Sequence, residues 1–137
     1  MPRGTWLWLV VVVAATSCGG GGTLSQKSFQ LQAEAVQSLS AEGALVAGGV
    51  VEGRTTSVFV RVHAGYLQKQ ARRVETKLAS SKASGTLEEK RASATRLAGR
   101  VGDELEQLHR APGDRSLAAR LKSRLEHDAD RAKELAK

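Results

Sequence analysis

The residues best equipped for metal chemistry in this chain are two histidines and a glutamate. Glu106-Gln107-Leu108-His109 sets a carboxylate and an imidazole three residues apart, on one face of a helix. Bundles that hold two iron or manganese ions use such a Glu-x-x-His pair on two helices, with a glutamate from each of two others. One such pair is present here and a second is absent. In an antiparallel topology His63 and Glu52 would come to the same end as His109. The candidate ligands are therefore His63, Glu106 and His109, with Glu52 beside them. A plainer account competes: a histidine near a helix carboxyl end is favoured by the helix dipole, which is enough for His109. His127, with Asp130 three residues on, reads as surface.

Composition excludes other chemistry. Cys18 is the only cysteine and Met1 the only methionine. That rules out haem attachment through Cys-x-x-Cys-His, and axial haem ligation by a methionine from the body of the chain. Residues 19–22 are all glycine but lack the lysine and helix start of a phosphate-cradling loop. No Gly-x-Ser-x-Gly nucleophile elbow occurs. The expectation is a non-enzymatic protein that needs no cofactor.

A second candidate site is electrostatic. The formal net charge is +7, and residues 61–82 hold Arg61, Lys69, Arg72, Arg73, Lys77 and Lys82 against Glu75 alone. Lys69, Arg72, Arg73 and Lys77 recur at helical spacing, so they share a face opposite the apolar seam. Such a face suits anionic headgroups or wall polymers. The competing account is a solvated face that keeps the protein in solution.

Cys18 carries the strongest local signal. Residues 6–15 are uncharged and follow Arg3. Ten residues are too few to span a bilayer, which takes ~20, but they fit the apolar core of an export signal. Ala15-Thr16-Ser17-Cys18 resembles the lipobox of bacterial lipoproteins, with Ala15 where that family prefers leucine. The resemblance covers residues 1–22 and implies the following. The Cys18 thiol is diacylglycerylated, and the chain is cut between Ser17 and Cys18. Residues 1–17 are then a signal peptide, and residues 18–23 an acylated anchor with a glycine tether. Two acyl chains hold a protein stably where one is marginal. The implied location is the extracytoplasmic face of a bacterial membrane, attached by lipid. Its implied partners are that membrane, an envelope protein or anionic polymer, or a second copy, and not nucleic acid. With a single cysteine no internal disulfide can staple the fold.

Packed helices must therefore hold these residues. Aromatic content is 4%, and Ala, Leu, Arg, Glu and Lys dominate, a composition that reads as long helices. Val60, Ala64, Leu67, Ala71, Val74 and Leu78 make a heptad-like seam. Phe59, Val62 and Tyr66 read as widening it. Leu87, Ala94, Ala98, Val101, Leu105 and Leu108 make a second seam, with Leu97 beside it. Thr86 and Glu89 match a capping box at its start. Gly99 and Gly102 weaken that helix, or let a neighbour approach. Leu117, Leu121, Leu125, Asp128, Ala132 and Leu135 make a third seam, on which Asp128 has no evident reason to sit. Ala111-Pro112-Gly113-Asp114 breaks the chain before it. Residues 50–62 also admit a hairpin, because Ser57 to Val62 alternates apolar with polar. The preferred reading is all-α: an antiparallel up-down four-helix bundle with coiled-coil-like seams. Its helices are expected at about residues 24–52, 56–82, 87–110 and 115–136, in one domain over residues 24–137.

Overall fold

Three of the four helices start where a side chain accepts from a free backbone amide of the first turn. The computed structural model describes residues 22–137, so Ser17, Cys18 and most of the glycine tether lie outside the described residues. Four α-helices follow in order: α1 (Gln26–Val51), α2 (Ser57–Ser80), α3 (Thr86–Arg110) and α4 (Arg115–Leu135). Ser25 accepts from the amide of Ser28 at 3.1 Å, Thr56 from Phe59 at 3.2 Å, and Asp114 from Leu117 at 2.9 Å. These contacts cap α1, α2 and α4.

The expected capping box of α3 does not form. Gly85 occupies the cap position at φ 59, and no side chain caps the helix. Thr86 is already the first helical residue, so its hydroxyl sits one position too late to serve as the cap. With the cap at Gly85 the third helical residue is Glu88 and not the expected Glu89, and Arg91 engages its carboxylate. Arg91 also donates to the carbonyl of Leu78 at 2.9 Å. A cation that interrupts the apolar pattern of α3 thus closes the carboxyl end of α2.

Residues 50–62 form no hairpin. They comprise the end of α1, a turn and the start of α2. Gly53, at φ 68, makes that turn possible, because the left-handed region is open to glycine without steric cost. The amide of Arg54 then reaches the carbonyl of Gly49 at 2.9 Å.

The helices run antiparallel, with α1 packed mainly on α4 and α2 on α3. α1 also touches α3 across the diagonal, whereas α2 and α4 do not meet. The cross-section is therefore a sheared square with α2 and α4 at its far corners. Most of the core is aliphatic: Val60, Ala64, Leu67 and Ala71 from α2 meet Leu97, Val101, Leu105 and Leu108 from α3, with Leu121 and Leu125 from α4. A smaller core of Leu24, Phe29, Ala33, Leu78 and Ala94 closes one end. At that end Leu24 donates to the carbonyl of Lys82 at 2.7 Å, and Lys82 donates to that of Gly22 at 3.2 Å. The first described residues are so fastened to the α2–α3 turn. No helix among the described residues is long and apolar enough to cross a membrane.

Candidate functional site

The proposed cationic face divides in two. Lys69, Arg73 and Lys77 are exposed on the outside of α2, but Arg72 is half-buried. At 100° per residue Arg72 lies about 60° round the helix from Lys69, and that rotation turns it toward α3. There it bonds Glu75 at 3.0 Å, the carbonyl of Gly99 at 3.2 Å and the carboxylate of Asp103, with Glu106 at 3.9 Å. Its pKa is raised further, chiefly by the hydrogen bonds to Asp103 and Glu75. Gly99 and Gly102 form the shelf on which this network lies. A β-carbon at Gly99 would stand 2.7 Å from a Glu75 carboxylate oxygen, and one at Gly102 3.0 Å from the Arg72 guanidinium carbon. These glycines admit side chains of α2 rather than its backbone. Arg72 is a clasp between helices and not part of a polyanion surface.

The metal candidates are engaged separately. His63 Nε2 stands 2.6 Å from a Glu42 carboxylate oxygen on α1, and its ring stacks on Phe59 at 5.3 Å. Glu106 pairs with Arg110. His109 donates from Nδ1 to the carbonyl of Arg61 at 2.8 Å, and its ring lies over Gly65. Glu52 pairs with Arg54 in the α1–α2 turn. Among the described residues, no group of three or more His, Cys, Asp or Glu side chains converges as a metal-binding set. The expected end-to-end proximity is real for His63 and His109, but each histidine ties a different pair of elements.

The structure brings together a pair that the seams left unassigned. Glu104 of α3 and Asp128 of α4 are 4% and 2% exposed, at the inner wall of an open cleft of about 710 Å³ between those helices. Arg100, Arg124 and His127 stand around them. Arg100 Nε lies 3.3 Å from Asp128 Oδ2. Burial, and then the Asp128 carboxylate, push Glu104 up to about 7, while Arg124 and Arg100 act in the opposite sense. Asp128 is also raised, by burial first, against the pull of Arg100, His127 and Arg131. Two carboxylates held this close cannot both ionise cheaply. Glu104 Oε2 and Asp128 Oδ2 are both buried without a hydrogen-bond partner, and a proton kept on Glu104 toward neutral pH would give the pair the donor it lacks. Asp128 thus has its reason to sit on the seam. Glu104 was legible too, since it continues the row Leu97, Val101, Glu104, Leu108 at spacings of four, three and four.

Fold and sites together define a sheared antiparallel four-helix bundle with one exposed face on α2 and one buried carboxyl pair. Comparison with known protein families, with curated proteins and with solved structures finds no match for this chain.

Proposed function

We propose that this chain is a bacterial surface lipoprotein. In this reading it is a non-enzymatic helical bundle, held on the extracytoplasmic face of a membrane by acylated Cys18, that works through binding or structural contacts in the envelope. The lipobox-like run at residues 15–18 motivates the anchor. In the fold, Gly22 and Leu24 are fastened to Lys82, which fixes where such an anchor would act. Only three residues separate Cys18 from Gly22. An anchor at Cys18 would therefore act close to the bundle end that holds the α2–α3 turn. The α1–α2 and α3–α4 turns lie at the other end of the bundle from that attachment.

Intact mass spectrometry of protein recovered from bacterial membranes tests this. A species that begins at Cys18 with added acyl mass, lost in Cys18→Ala, is the expected result. An unmodified mass that retains residues 1–17 overturns the reading.

A further inference from the structure

The outer face of α2 changes character along its length. Its amino-terminal half shows Val58, Phe59, Val62 and Tyr66, which are 75%, 49%, 69% and 57% exposed. Its carboxyl-terminal half shows Lys69, Arg73 and Lys77, all exposed. At 100° per residue these seven positions fall within an arc of about 100°. No acidic residue shares that arc. The expectation that Phe59, Val62 and Tyr66 widen the buried seam is thus overturned. α2 meets α3 and α1 on its other sides and does not touch α4, so nothing among the described residues covers this face. Single exposed apolar side chains are ordinary, but a contiguous row on one helix marks a contact surface.

The cations decide what would cover it. An apolar row that runs into a basic row, with no acid, matches an anionic lipid interface. There the apolar side chains enter the boundary below the headgroups while the cations meet the phosphates. Tyrosine, with an apolar ring and a polar tip, suits that depth. A second copy of the same face would bring cations against cations or against apolar groups. The chain itself points to the same surface: Gly22 is bonded to Lys82, just beyond the basic end of α2.

We propose that the outer face of α2 docks on the anionic bilayer to which Cys18 tethers the chain. Val58, Phe59, Val62 and Tyr66 enter the interface, and Lys69, Arg73 and Lys77 lie on its headgroups. The bundle then rests on its side, with α4 turned away from the lipid. The tether part of this arrangement rests on the lipoprotein reading; the docking face does not.

The test uses the full chain, recovered from bacterial membranes and placed in phosphatidylcholine vesicles with or without phosphatidylglycerol. A nitroxide is attached at Val62→Cys, or at Ala119→Cys, an exposed position on α4. With Cys18 acylated, the introduced thiol is the sole one to react. In anionic vesicles the Val62 label should be open to oxygen and shielded from a water-soluble nickel chelate. The Ala119 label should stay open to the chelate. Exchanging Lys69, Arg73 and Lys77 for glutamate should lower the docked-to-free ratio at least roughly 100-fold, with helical circular dichroism unchanged.

A Val62 label open to the chelate in both lipids, on chains with acylated Cys18, overturns the docking and leaves the anchor standing. A label shielded from chelate and oxygen alike, whatever the lipid, assigns the face to a protein and also overturns it. Absence of acyl mass refutes the anchor; the Val62 label is then read in a Cys18→Ala background, where a label open to the chelate in anionic vesicles overturns the docking.

Discussion

Raising the pH through neutrality should weaken this bundle, because of the Glu104–Asp128 pair. In the unfolded chain Glu104 releases its proton near its ordinary value of 4.5, whereas in the fold it holds it up to about 7. Between those values the folded state binds a proton that the unfolded state does not, so stability falls as pH rises. The difference corresponds to about 3 kcal/mol, present in full below about pH 4.5 and lost by the time pH has passed about 7. For a domain of this size that is a Tm decrease of roughly 10 °C. Thermal and urea unfolding, followed by circular dichroism across this range, measures it.

The decisive comparison is Glu104→Gln. The amide keeps the shape and can donate to Asp128, but it does not titrate. The variant should lose the Glu104 part of the decline, leaving only what the raised Asp128 contributes, and should exceed the native protein in stability at alkaline pH. A native profile that is level or rising through this window refutes the shared proton. So does a Glu104→Gln profile as steep as the native one.

Three further outcomes follow from the packing. Arg72→Ala should cost about 1 kcal/mol in urea unfolding, because it removes a half-exposed clasp onto Glu75, Asp103 and the Gly99 carbonyl; Arg72→Lys should restore little, since an ammonium cannot span the same fork of acceptors. Phe29→Ala, which empties the centre of the smaller core, should cost about 3–5 kcal/mol, and hydrogen exchange should show the loss spreading through residues 22–24. Asp114→Ala should cost about 1 kcal/mol by removing the cap of α4, while Asp114→Asn should recover most of it.

Much of this architecture was readable before any coordinates. The seams of α2, α3 and α4 marked nearly every buried aliphatic residue there, and the Ala111-Pro112-Gly113-Asp114 break separated α3 from α4. α1 was less legible, since Leu31 and Leu45 are exposed on it while Gly43, Gly48 and Gly49 are buried. Gly43 lies so close to Leu105 of α3 and Leu125 of α4 that a β-carbon there would stand 2.7 Å from the first and 3.2 Å from the second. A glycine that reads as a helix breaker is, in the fold, the point of closest packing.

The sequence by itself determined the helices, their order and their antiparallel course, because apolar period and turn residues are local properties of the chain. Only the tertiary structure decided which side chains meet. Period places Arg72 near Lys69 on its own helix, but the rotation of α2 against α3 sends it to Asp103 and Gly99. Period places Glu104 and Asp128 on their seams, but the axial register of α3 against α4 sets one against the other. The expectation that Phe59, Val62 and Tyr66 flank the core fails on the period itself, which sets them on the side of α2 away from the Val60–Leu78 seam, where no helix among the described residues covers them. Rotation, register and shear are settled by the packing of all four helices at once, and no single helix encodes them.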